Sequence, residues 1–335
     1  MDPRAPFFAA LQEVFAFLDS SLPGLPGPEG NPCGSCRACC TARGLTSHAV
    51  SDLELDFLAD RVGEEGARAF ASYAARERGP DGQVLHEVCP FHDGTGCSVH
   101  PHRPYACRAF GPYRIAGTRF PEGCVFEGHE REFAFAAYFD TVPGSRELHR
   151  LKRDYAFLRR PGPVRAAPAS GGRTLGEADL AYLDPDDPLD QATRALVAGQ
   201  PEVALAEARR ALEVLGGTPS VLYTLGTAFE INHRPVEALL VFREAVGLVP
   251  GCADFHYHVG YNLVQSRDFA AGFQALARAV ELNPEHALAL GFMGYVLLMD
   301  RRVEEALPYL RRALEVDPEN GFFRARLEEA VGGRA

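Results

Sequence analysis

All but one of the nine cysteines fall between Cys33 and Cys124; only Cys252 stands apart. The first group reads Cys33-Gly-Ser-Cys36-Arg-Ala-Cys39-Cys40. Cys89, Cys97, Cys107 and Cys124 follow, with His92 and His100 the nearest histidines. A C-x2-C spacing lets two thiolates turn toward one ion, and Gly34 allows the tight backbone between them. C-x2-C-x2-C is also the spacing that holds three corners of an iron–sulfur cube in bacterial ferredoxins. Adjacent Cys39 and Cys40 project in different directions, so both ligate only if the loop bends or two metal atoms are present. So many thiolates exceed one tetrahedral ion and suit two sites, one multinuclear site, or one cluster plus a resolving pair. Zinc suits a closed all-thiolate site that holds loops together; iron–sulfur suits the C-x2-C-x2-C run. Arg103 and Arg108 flank Cys107 and are candidate cofactor-binding residues, able to offset thiolate charge or hold an anionic ligand. The competing reading is a structural ion pair with a nearby acid.

These cysteines lie in Gly/Pro-rich loops, which wrap donors around a metal where a regular helix points them apart. The elements that must position them read as helices. Phe7 to Asp19 is amphipathic, and the Pro/Gly run Leu22 to Pro32 detaches it from the cluster. Ser51 with Glu54 forms a capping-box pattern ahead of Leu53, Leu55, Phe57 and Leu58. Glu64 to Arg78 is an Ala-rich helix ended by the turn Gly79 to Gly82. Glu130 to Phe139 and Ser145 to Leu158 are expected as two more. Arg160 to Gly176 is a Pro/Gly/Ala/Ser linker, and Asp184 to Pro188 reads as a second loose zone. The expected division is 1–30 for the N-terminal helix and linker, 31–159 for a cysteine-cluster metal domain, 160–187 for a linker, and 188–335 for helical repeats.

The C-terminal part repeats every 34 residues. Leu222, Leu225, Gly226 and Phe229 recur as His256, Val259, Gly260 and Leu263, then as Leu290, Met293, Gly294 and Leu297. Behind them Ala238, Phe242 and Ala245 recur as Gly272, Leu276 and Ala279, then as Ala306, Leu310 and Ala313. Each block closes on Pro250, Pro284 or Pro318, and a degenerate earlier unit carries Ala204, Ala208 and Ala211. Small residues let two helices approach closely; a single pair cannot bury its apolar face and must stack. This pattern resembles the tetratricopeptide repeat. The resemblance implies an α-solenoid whose first helices line a groove for a protein or peptide partner, with Glu319 to Val331 as capping helix. His256, Tyr257, His258, Tyr261 and Asn262 lie on one such helix; histidines two apart point to different sides, so surface and packing roles are expected. Cys252 is expected to be a small buried or loop residue. The fold class is therefore mainly α: a loop-rich cysteine-cluster metal domain with helices, then an α-solenoid of tetratricopeptide (TPR) helix pairs.

The order CxxCxxCC, CPF, then GC-x-V-H-P-x-RP-x-x-CR resembles the YkgJ-type cysteine-cluster family of zinc- or iron-chelating domains. Its matching residues are Cys33, Cys36, Cys39, Cys40, Cys89, Cys97, Arg103, Pro104, Cys107 and Arg108, and the resemblance runs to Cys124. It implies metal or cluster binding by Cys33, Cys36, Cys39, Cys40, Cys89, Cys97, Cys107 and Cys124, without implying a reaction. A similar motif occurs in flagellin lysine methylases, where an iron–sulfur cluster has been inferred, so the resemblance favours iron or an iron–sulfur cluster, with zinc as the alternative. His92 stands where the family commonly has Leu, and no ligand role is carried onto it.

Composition narrows the function. The formal net charge is −11, which disfavours phosphate-backbone binding, so no nucleic-acid partner is expected. No nucleotide-binding loop, H-E-x-x-H or G-x-S-x-G is present. The start Met1-Asp2-Pro3-Arg4 is no cationic leader, and Phe7 to Leu18 is too short to span a bilayer. A cytoplasmic protein with reduced thiols and no membrane insertion is the expectation. Two functions remain. The first is a metal-loaded cysteine domain on a protein–protein interaction scaffold. The second is a redox or protein-modifying enzyme whose repeats recruit its substrate; no catalytic residue is assigned.

Overall fold

The structure, a computed structural model, describes residues 2–21, 50–75, 89–91, 97–99, 102, 104–109, 113–115, 131–133, 137–159 and 183–332. The chain divides into two compact units, 1–156 and 157–335.

In the first unit α1 (Ala5–Ser20) buries Phe8, Leu11, Val14, Phe15 and Leu18, the spacing of one helical face. α2 (Asp52–Val62) starts at the expected capping box: the Ser51 side chain accepts from the Glu54 N–H and the Glu54 side chain returns to the Ser51 N–H. Phe57 of α2 is met edge-on by Phe8 and Phe15 of α1, with ring centres 5.7 and 5.9 Å away. α3 (Glu64–Ala75) packs back on α2. Leu58, Ala67 and Phe70 of these helices form an apolar cluster with Phe91 and Val99, in which Phe70 and Phe91 stack at 5.5 Å. The remaining elements are α4 (Tyr105–Ala109), strands β1 (Tyr113–Ile115) and β2 (Arg131–Phe133), α5 (Tyr138–Thr141) and α6 (Ser145–Arg159).

The expected helix Glu130 to Phe139 does not form as such. Arg131–Phe133 pairs in parallel with β1, Tyr113 opposite Arg131, and the next helix is the short α5. Strand formation here depends on a partner distant in sequence, which local helical propensity cannot register.

The second unit is a stack of antiparallel helix pairs: α7 (Pro188–Val197) with α8 (Pro201–Leu215), α9 (Pro219–Ile231) with α10 (Pro235–Leu248), α11 (Ala253–Gln265) with α12 (Phe269–Leu282), α13 (Ala287–Met299) with α14 (Val303–Val316), and the capping helix α15 (Gly321–Gly332). Ala204, Ala208, Ala211, Ala238, Ala245, Ala279, Ala306 and Ala313 are all fully buried, as the small-residue positions require. α11 crosses α12 closely: a Cβ on Gly260 would stand 2.7 Å from Leu276 and 3.0 Å from the Gly272 carbonyl. The period extends to the helix starts. Thr218, Cys252, His286 and Asn320 occupy equivalent N-cap positions, and all but Cys252 accept a backbone N–H through the side chain.

The acidic run Asp184 to Pro188 is ordered, contrary to the loose zone expected. Asp187 caps α7 by accepting the Leu189 N–H at 2.9 Å. Asp190 accepts the Asp184 N–H at 2.7 Å, and all three carboxylates are buried. Turn-forming Asp and Pro residues serve equally as helix-start signals, and here the cap prevails. Among the described residues no helix is long and apolar enough to cross a membrane.

Candidate functional site

Three of the expected thiol donors are described, and all border the same apolar cluster. Cys89 is buried within it, beside Leu58, Phe70 and Phe91, and the half-buried Cys97 and Cys107 pack against it. Phe91 and Ser98 lie together: Phe91 O accepts both the Ser98 N–H at 2.8 Å and the Ser98 hydroxyl at 3.0 Å. Cys33, Cys36, Cys39, Cys40, Cys124 and Arg103 lie outside the described residues, as do His92 and His100. Among the described residues no group of three His, Cys, Asp or Glu side chains gathers to hold an ion. The donor chemistry fits the implied group nonetheless: soft thiolates set against aliphatic and aromatic walls suit zinc or an iron–sulfur cluster and would hold water away.

Cys107, expected in a loop, rides instead with Arg108 on α4, a single turn too short to hold itself. Contacts to other described elements fix it. The Glu54 carboxylate accepts the Tyr105 N–H at 2.9 Å, capping from another helix a donor that α4 leaves open. The Tyr105 hydroxyl donates to Pro143 O at 2.5 Å. Arg108, buried, donates to Asp19 of α1, and its guanidinium lies 4.4 Å from the Phe15 ring centre. This contact ties the motif arginine to α1, as the ion-pair reading expects.

By its spacing from Ser51, Glu54 is the far end of a capping box. In the fold it is a buried hub. Its carboxylate also accepts the Ser51 N–H at 3.0 Å and hydroxyl at 2.7 Å, and lies 3.1 Å from the Lys152 ammonium. Burial opposes its ionisation, but the Lys152 charge and the hydrogen bonds from Ser51 and Tyr105 outweigh that and hold the carboxyl below its usual value. An acid at the third position of an amphipathic helix gave no sequence sign of this burial.

In the repeats, the first helices of successive pairs, α7–α9, α11–α13 and α13–α15, touch one another more closely than the second helices do. They therefore form the inner layer of the stack. His258 is buried there as a packing residue: its ring stacks on Phe242 at 4.3 Å, and Nδ1 lies 3.0 and 3.1 Å from the two Glu230 oxygens. Asn262 Nδ2 bridges Glu230 and His258 O, while its buried Oδ1 has no hydrogen-bond partner among the described residues. His286 Nδ1 accepts the Ala289 N–H at 3.2 Å, which leaves the ring proton on Nε2, 3.2 Å from Asp254. His256 stands apart, 2.9 Å from Pro250 O.

Two families match parts of the chain. The chain matches the tetratricopeptide repeat family over residues 189–252 and 260–321. It matches the CxxCxxCC family, described as "Putative zinc- or iron-chelating domain", over residues 32–125. The chain thus joins a CxxCxxCC domain to tetratricopeptide repeats. It is similar to MamA 41-end from Desulfovibrio magneticus RS-1, at 23% identity over 43% of this chain and 81% of that one, with a TM-score of 0.38. It is also similar to a thermophilic TPR protein in Thermus thermophilus, at 19% identity over 44% and 81% of the two chains, with a TM-score of 0.41. No curated protein matches the chain.

Proposed function

We propose that the protein binds iron, as an iron–sulfur cluster, through its cysteines and uses its repeats to dock a protein partner in the cytoplasm. The observation that carries this reading is the placing of Cys89, Cys97 and Cys107 on one apolar cluster, in a motif whose other donors are Cys33, Cys36, Cys39, Cys40 and Cys124. Bound there, a cluster would supply electron transfer or a rigid cross-link between loops. The chain's own part is to seat the donors: Glu54 and Tyr105 fix the helix that bears Cys107, and Phe70 and Phe91 wall the site. The repeats support docking because their inner layer is continuous from α11 to α15.

The test is elemental analysis of the full chain purified without oxygen, counting iron, zinc and acid-labile sulfide per chain. Iron with matching sulfide is expected and brings the redox reading forward. Zinc without iron makes the domain a structural clip and moves function to the repeats. No metal at all removes the central claim. Single replacement of Cys39 or Cys40 then reads whether each is a ligand, since unchanged metal content takes that residue off the site.

A further inference from the structure

We infer that the inner face of α9, α11 and α13 takes a cationic segment, one bearing Lys or Arg, from a partner protein; this rests on the reading of the repeats as a docking scaffold. The first observation is charge. These three helices contain no Lys or Arg, and their carboxylates are Glu230 and Asp254. An acidic peptide would find no cation on them, and burying its carboxylates there would be costly.

The second observation is a connected series of aromatic rings on the same layer. Tyr257 and Tyr261 lie 6.1 Å apart, Tyr261 meets Phe292 at 5.1 Å, Phe292 meets Tyr295 at 6.1 Å, and both approach Phe322 of α15 at 5.9 and 5.8 Å. Tyr261, Phe292 and Tyr295 are half-buried and Phe322 is 42% exposed, so the series reaches solvent. Burial and the Glu230 charge both raise the Tyr261 hydroxyl above its usual value, so the phenol stays neutral. Neutral aromatic faces attract ammonium and guanidinium groups. The protein already makes one such contact at the series' end, where the Arg326 guanidinium lies 5.3 Å from the Phe322 ring centre.

The third observation is a buried polar atom on α11. Among the described residues Asn262 Oδ1 is a buried acceptor with no hydrogen-bond partner, on a side chain whose amide is already committed to Glu230 and His258. What it lacks is a donor, and ammonium, guanidinium and peptide N–H groups are donors. Neutral aromatic faces and the absence of Lys and Arg from α9, α11 and α13 favour a cation, and the lone acceptor offers a place for a donor.

The experiment pans a random peptide library against the full chain at physiological salt and measures each enriched peptide's affinity for the wild type and for Tyr261→Lys. Phe322→Ala, at a more exposed ring, is the second variant should Tyr261→Lys melt early. Enriched peptides should carry more Lys and Arg than the library and bind Tyr261→Lys about ten-fold more weakly. Acidic or uncharged peptides that still depend on Tyr261 or Phe322 would overturn the charge inference and leave docking intact. Peptides insensitive to both variants, or no enrichment at all, would overturn the inference together with the docking reading.

Discussion

The Glu54 carboxylate accepts the Tyr105 backbone N–H at 2.9 Å across a separation of 51 residues. That bond joins the capping box of α2 to the helix bearing Cys107. Replacing Glu54 by Ala strands a buried N–H and removes the carboxylate facing Lys152, which we expect to cost about 2 kcal/mol. Amide exchange at Tyr105 should then run roughly thirty-fold faster. Unchanged exchange at Tyr105 would show that α4 is held without Glu54.

The same carboxylate sets a pH dependence. Its pKa in the fold lies below the usual 4.5, the net result of burial opposed by Lys152, Ser51 and Tyr105. The folded state therefore binds the proton less readily than the unfolded one. The resulting stabilisation is present above pH 4.5 and is lost as pH falls through the lowered folded value. Acid melts of the full chain should show this loss, and Glu54→Gln should flatten it. Parallel acid profiles for wild type and Glu54→Gln would assign the sensitivity to other carboxylates.

Why the repeats were legible and the site less so follows from the range of the interactions. Gly226, Ala238 and Phe242 recur because each contact is made within a pair or with the next one, so a local period records the fold. The helix starts were readable for the same reason: Ser51 and Glu54 cap each other within one turn. The β1–β2 pairing, the Arg108–Asp19 pair and the Glu54–Tyr105 bond all join distant segments, and no spacing in the sequence encodes them. The cysteine spacing declared thiol chemistry, but that Cys89, Cys97 and Cys107 share one apolar wall is a property of the fold.

Gly291 shows how the period is broken for packing. Equivalent positions in the two preceding repeats hold Tyr223 and Tyr257, but here a Cβ would lie 2.2 Å from the Phe323 ring of the capping helix. Gly291→Ala should push that ring aside and destabilise the repeats by about 1–3 kcal/mol. Gly247, with nothing within 4 Å of its Cβ position in α10, is the contrast: Gly247→Ala should stabilise by about 0.5–1 kcal/mol through helix propensity. Thermal melts of the two variants should move in opposite directions; the same sign for both would break the packing account.

The turns inside each helix pair carry strain that can be relieved. Gly199, His233, Arg267 and Arg301 occupy equivalent positions with φ of 66, 56, 64 and 58°. The Arg301 N–H donates to Leu298 O at 3.0 Å and the Arg302 N–H to Leu297 O at 2.9 Å, the double bond pattern that ends a helix through a left-handed residue. Only the first turn has the glycine this favours. A left-handed L-residue costs about 1–2 kcal/mol, and glycine's extra freedom in the unfolded chain offsets about 0.5–1 kcal/mol of the relief. Arg301→Gly should therefore raise stability by roughly 0.5–1 kcal/mol, while Arg301→Val, β-branched and poorly tolerated at positive φ, should lower it. Denaturant unfolding of the repeats checks both, and a loss of stability in Arg301→Gly would mean that the arginine side chain contributes more than its backbone costs.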